Sequence, residues 1–212
     1  MLEAHFIDEH LLVLDKPAGE LAVPGRGAQG AACLLARAQA QWGAVFVVHR
    51  LDMATSGLIV FARSATAQRA LSMSFEQRAV AKRYIAVAHG LMADDAGSID
   101  LPLAADWPNR PRQQVDHVAG KPSLTHWRVL SREVARDVAL PCTRVELHPV
   151  TGRSHQLRVH LQAIGHAIVG DALYAPAHLT RDEPRLLLHA SRLAFAHPAS
   201  GQALAFDSAA PF

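Results

Sequence analysis

The spacing of hydrophobic residues along the chain changes several times, and each change marks an element. His10–Leu14 is a short apolar run halted by Lys16-Pro17 and predicts a buried strand, followed by a glycine- and proline-rich loop over Pro17–Gly30. Ala31, Leu34, Leu35, Ala38 and Trp42 recur at helical spacing and predict a helix. Val45–Val48 predicts a strand entering the loop HRLDMATSG (residues 49–57), and Gly57–Ala62 predicts a wholly apolar strand leaving it. Ser64 is placed to cap a helix whose face is Ala67, Leu71 and Phe75. In AKRYIAVAHG (81–90) the period becomes two, with Tyr84, Ala86 and Ala88 on one side. Residues 104–122 have little periodicity and predict a long polar loop, a feature usually kept for function in an ordered domain. Strands are expected at about 124–131 and 139–147, then a helix from about Gly152 to Ile164 striped by Leu157, Leu161 and Ile164. RLLLHASRLAFAHP (185–198) and QALAFD (202–207) predict two last strands around a turn at Pro198–Gly201. Strands outnumber helices, and neither a repeat nor a linker interrupts the pattern. The expected class is α+β, a mixed and mostly antiparallel sheet flanked by helices and loops, in a single domain over 1–212.

Composition narrows the function classes. A chain of 212 residues buries about 70% of its extended surface, and 50% hydrophobic with 19% charged residues excludes disorder. No apolar run approaches the ~18–20 residues of a membrane span. The opening MLEAHFIDEH lacks the basic start of an export signal, so the expected compartment is the cytoplasm, without membrane attachment. Cys33 and Cys142 fit reducing conditions and form neither a disulfide framework nor a zinc motif. A net charge of +2 gives little reason to think of nucleic acid. Its distribution gives more: residues 107–160 carry nine bases against four acids, whereas 1–106 carry nine against eleven and 161–212 three against four. That is the profile of a basic patch on a near-neutral body, although a solvated charged face is the ordinary alternative.

Several constellations compete as the chemical centre. Gly25, Gly27 and Gly30 match GxGxxG, but PAGELAVP separates them from the preceding strand, whereas a dinucleotide site needs the first glycine directly after it. His155 and His160 are five apart, the wrong spacing for a helical zinc pair, so no metal is expected. Ser56 lacks the GxSxG elbow of a serine hydrolase. HRLDMATSG fares better, with Asp52 at the end of a buried strand, Arg50 on its flank, and small residues that let a bulky ligand approach. GRSHQLRVH (152–160) sets Arg153 one turn before Leu157 on an apolar helix face, where an arginine is costly unless it meets a carboxylate. A buried acid and a buried arginine from distant segments point to one site.

HRLDMATSGLIVFAR (49–63), KRYIAVAHG (82–90) and HPVTGRSHQLRVHLQAIGHAIVGDALY (148–174) resemble, in order, the signature segments of the RluA family of pseudouridine synthases. LDKPAGELAVPGR (14–26) resembles the family's opening strand and loop, and DWPNRP (106–111) and RLLLHA (185–190) resemble the branch acting on both 23S rRNA and tRNA. Ala167 stands where the family usually has proline, and no S4-like RNA-binding domain precedes the catalytic part, as in that branch. The resemblance implies a pseudouridine synthase fold with a catalytic cleft across the sheet. It implies a cofactor-free, metal-free monomer that isomerises a uridine in an RNA stem-loop of 23S rRNA, tRNA or both. Asp52 is then the catalytic acid, a nucleophile at C1′ or C6 or a base at C2′, with Arg153 pairing with it and Tyr84 stacking on the uracil. Flipping the target base costs a few kcal/mol. By resemblance Arg50, beside His49, inserts where the base was, while Arg110, Arg112, Lys121 and Arg128 hold phosphates, Trp107 offers a stacking surface, and Leu157 lines the pocket. The competing classes are a non-catalytic RNA-binding module and a nucleotide-dependent oxidoreductase resting on the glycine motif.

Overall fold

A computed structural model describes residues 1–25, 32–134, 141–176, 179 and 185–212. Gly25 is the last described residue of the glycine motif; Gly27 and Gly30 lie outside the described residues, as does Ala31 of the predicted helical stripe. The chain forms two compact units, Met1–Lys82 with His189–Pro211, and Arg83–Leu188 with Phe212.

The first unit is built around β4 (Ser56–Ala62), which is buried at every position. An unbroken apolar run of this kind belongs to a strand covered on both faces. It pairs antiparallel with β2 (Leu11–Lys16) on one side, and β2 in turn with β1 (Ala4–Ile7). On the other side, β3 (Phe46–Val47) runs antiparallel beside Phe61 and Ala62, while β11 (Leu188–Ala196) runs parallel beside Ser56 and Gly57. β12 (Ala203–Asp207) closes the unit antiparallel to β11. Gly57 is required at the parallel contact: its φ is +110°, and a Cβ there would lie 2.4 Å from the Ala190 carbonyl oxygen. Helix α1 (Leu34–Trp42) is capped by Cys33, whose Sγ accepts from the Ala36 N–H, and α2 (Ala65–Glu76) is capped by Ser64, whose Oγ accepts from the Ala67 N–H at 3.1 Å. Ala67 and Leu71 pack α2 onto a core of Leu11, Val13, Leu58, Val60, Leu193 and Phe195.

In the second unit β5 (Ala81–His89), β10 (Pro141–Pro149), β9 (Leu124–Val134) and β6 (Ala96–Asp100) pair antiparallel in that order. Cys142 is buried among Val87, Val169 and Leu187. Two expectations are corrected here. The segment expected to be a long loop contains a hairpin, β7 (Leu103–Ala105) with β8 (Gln113–Val115), whose inward Leu103 and Val115 pack with Val159 and Tyr174. Strands this short carry too few positions to show a period. The helix expected from Gly152 is α3 (Gln156–Ala163), because residues 151–155 spend their polar groups on a tight turn. The short strands β1 and β6 have no counterpart in the hydrophobic pattern; both read half-buried at best along most of their length.

Candidate active site

The loop His49–Thr55 of the first unit is fixed at both ends. His49 stacks on Phe75, ring centroids 4.5 Å apart and 21° from parallel, and its Nε2 accepts from the Val60 N–H at 3.1 Å. That bond needs an unprotonated Nε2, and burial, reinforced by the nearby Lys82 charge, lowers the His49 pKa to about 3. The ring expected at the RNA is therefore turned inward as a neutral anchor. Between pH 6.5 and about 3 the unfolded chain takes up a proton at His49 that the folded chain refuses, so stability falls with acid across that window. The urea midpoint of the native protein should drop more steeply from pH 6.5 to 4 than that of His49→Gln; equal slopes would deny the ring its neutral, buried role.

Lys16 holds the far side of the loop. The side chain is 1% exposed, and its ammonium donates to the carbonyls of Pro17 and Glu20, each at 2.7 Å, and Met53 at 3.0 Å. Gly19 N–H donates to the same Met53 carbonyl at 2.9 Å, and Thr55 N–H closes the turn onto the Asp52 carbonyl at 3.1 Å. Between these anchors Arg50 is exposed and Asp52 half-buried, so the expectation of a fully buried acid is corrected. In the sequence Lys16 marks only the end of a strand; its one signal is a place two residues after Leu14, on the same face of that strand. Lys16→Met should cost roughly 2–4 kcal/mol, because three carbonyls lose a charged donor, and turnover should fall with it. Thermal melting and activity check this together; an unchanged melting temperature would contradict the clamp.

In the second unit Tyr84 is half-buried on β5, opposite Leu147 of β10. Arg153 is exposed and precedes α3; its N–H donates to Gln156 Oε1 at 3.0 Å and its Nε to the Pro122 carbonyl at 3.4 Å. The expectation of a buried Arg153 on the helix face fails because the turn begins the helix four residues later than the apolar stripe suggested. The buried arginine is Arg158, 5% exposed, whose Nε and Nη2 meet the two Asp171 oxygens at 2.8 and 2.7 Å. The cost of a buried guanidinium, which pointed to a carboxylate partner, applies to Arg158. Leu157, expected in the pocket, is 8% exposed in the same helix.

Two residues of the basic segment, Arg110 and Arg112, lie in the connection between β7 and β8. Asp106 binds Asn109 through both main-chain and side-chain bonds at the tip, and Trp107 is 68% exposed with the Arg110 guanidinium 4.6 Å above its ring. A tryptophan this exposed is not core. Arg112 and Lys121 are exposed. Arg128 donates to Glu146 at 2.9 Å, with Arg83 also 3.5 Å from that carboxylate, so part of its charge is answered within the unit. Burial alone would raise the Glu146 pKa; bonds from His148 and Arg128 outweigh it and leave the carboxyl below its usual range. Among the described residues no group of three His, Cys, Asp or Glu side chains is placed to hold a metal, and no helix is long and apolar enough to cross a membrane.

Comparison with known proteins settles the class to which these features belong. Residues 10–163 match the model of the RNA pseudouridylate synthase family. The chain is 50% identical over 198 residues to the dual-specificity RNA pseudouridine synthase RluA of Vibrio vulnificus (strain CMCP6), covering 93% of this chain and 79% of that protein. It is 45% identical over 205 residues to the enzyme of the same description from Escherichia coli (strain K12), covering 97% and 91%. Among solved structures, human RNA pseudouridylate synthase domain containing 1 superposes with a TM-score of 0.84 at 26% identity, covering all of this chain and 84% of that one. A pseudouridine synthase fold of the α+β class, a loop built around an aspartate, and these likenesses over nearly the whole length agree, and the chain belongs to the RNA pseudouridylate synthase family, whose reaction is the isomerisation of uridine in RNA.

Proposed function

We propose that this enzyme acts on a stem-loop uridine of 23S rRNA, of the tRNA anticodon arm, or of both, with Asp52 as the catalytic carboxylate. The observation that carries the reading is the clamped loop. Lys16 and His49 fix main chain on either side of Asp52, so an acid is presented on a rigid frame. In the reaction the uracil N1–C1′ bond breaks, the ring turns, a C5–C1′ bond forms, and the proton on C5 leaves while N1 gains one. No electrons are exchanged with a cofactor. Asp52 begins the sequence as an ionised group, and Tyr84 stacks on the uracil where the C5 proton departs late. Arg50 fills the space of the flipped base, which offsets the cost of unstacking. By the resemblance Arg153 pairs with Asp52 in the same reaction, while Arg110, Arg112 and Lys121 hold RNA phosphate and Trp107 with Arg110 forms a stacking surface of the kind single-stranded bases occupy.

The likeness to relatives described as dual-specificity enzymes supports both RNA classes as substrates. Mapping pseudouridines in the total RNA of a strain lacking this gene tests the assignment. The expected result is loss of pseudouridine from a 23S rRNA loop and from tRNA anticodon arms, restored by the wild-type gene. Loss confined to another RNA class would overturn it.

A further inference from the structure

The hairpin β7–β8 and the Arg153–His155 turn are about forty residues apart in sequence, and a third segment joins them through one oxygen atom. The Tyr174 hydroxyl lies 2.7 Å from the Gln113 main-chain nitrogen and 2.6 Å from His155 Nδ1. Gln113 N–H can only donate, so the phenol oxygen accepts there. The contact with His155 forms in either tautomer, the phenol donating to a bare Nδ1 or accepting from Nδ1–H. The junction is held from every side. Tyr174 is 6% exposed, its ring packs with Leu103 and Val159, and the guanidiniums of Arg158 and Arg112 lie 5.0 and 5.4 Å from the ring centre. Its N–H and that of Leu173 donate to Asp171, the carboxylate that grips Arg158. His155, which has φ +54° at the start of α3, adopts a backbone conformation that side-chain-bearing residues hold only when their surroundings impose it.

We infer that Tyr174 is a positioning residue for RNA: its hydroxyl sets the β7–β8 hairpin against the Arg153–His155 turn so that both engage one RNA molecule. The inference rests on the reading of the hairpin as an RNA-contacting surface, and the test separates the two. Tyr174→Phe keeps the ring and removes only the hydroxyl. Kinetics are measured on bulk RNA tritiated at uridine C5, taken from cells lacking the enzyme. The expected result is an apparent KM about tenfold higher with kcat within about twofold, because the flipped base is processed normally once the RNA is seated. The double variant Trp107→Ala with Arg110→Ala should raise KM as well, and adding Tyr174→Phe to it should raise KM no further, since a hairpin stripped of its contacts gains nothing from orientation. If the double variant raises KM and Tyr174→Phe lowers only the melting temperature, the tyrosine is a packing residue and the inference falls while the hairpin reading stands. Independent, multiplying effects would also overturn it. If the double variant leaves KM unchanged, the hairpin does not touch RNA and both fall.

Discussion

Asp52→Asn is expected to abolish pseudouridine formation, by a factor of at least about 10³, while the protein still folds and binds RNA. An amide is neither a nucleophile nor a base, and no other carboxylate belongs to the HRLD loop, so a loss of more than about 4 kcal/mol of transition-state stabilisation follows. The loop should survive the change because its geometry is written in main-chain bonds, Lys16 to Met53 and Thr55 to Asp52, which asparagine leaves in place. The check is three measurements on one preparation: pseudouridine by nuclease digestion and chromatography, RNA affinity by gel shift, and melting temperature. Affinity within about threefold and an unchanged melting temperature, beside lost turnover, are the expected outcome. Activity above a tenth of wild type would remove Asp52 from the chemistry, and a collapsed melting temperature would make it a structural residue.

The largest stability effect is expected at Arg158, not Arg153. Arg158→Ala leaves the Asp171 carboxylate, fully buried, without the two-pronged partner that offsets its desolvation, at a cost of about 3–5 kcal/mol. Asp171 would keep the main-chain N–H bonds from Leu173 and Tyr174, which is why the figure is not placed higher. Arg153→Ala removes an exposed side chain whose Nε makes a long bond to the Pro122 carbonyl, and should change stability by no more than about 0.5 kcal/mol. Denaturant titration of the two variants side by side decides it. Equal stability losses would mean that burial does not distinguish these arginines.

The contrast between the two arginines shows how far the sequence could be read. A buried arginine demands a carboxylate, and the stripe of Leu157, Leu161 and Ile164, which predicts a helix from Gly152, points to Arg153 as that arginine. Hydrogen bonds among Thr151, Arg153 and Gln156 form a turn instead and delay the helix, and side-chain bonding of that kind leaves no mark on hydrophobic period. Elements marked by a continuous apolar run or a helical stripe were legible, the wholly buried β4 and α2 with its Ser64 cap; β5 was legible as a strand, although its second half is buried on both faces instead of alternating. Lys16 was visible as a letter but not as a clamp, since its partners are carbonyls, including one 37 residues away. His49 was expected at the RNA and faces Phe75; a histidine's tautomer and contacts are set by the fold around it. The hairpin was hidden because its strands have three residues each; Trp107, for which both a stacking surface and a core position fit the sequence, is exposed with the Arg110 guanidinium over its ring.

On the proposed mechanism Asp52 drives the exchange of the uridine N1–C1′ bond for a C5–C1′ bond in RNA. Tritium release from RNA labelled at uridine C5 reads that exchange directly, because the C5 hydrogen is lost only when carbon takes the place of nitrogen. Wild-type enzyme should release one tritium for every pseudouridine recovered, with the RNA chain uncut, and Asp52→Asn should release none above background. Binding of RNA by the wild type without tritium release, or release that persists undiminished in Asp52→Asn, would contradict the account.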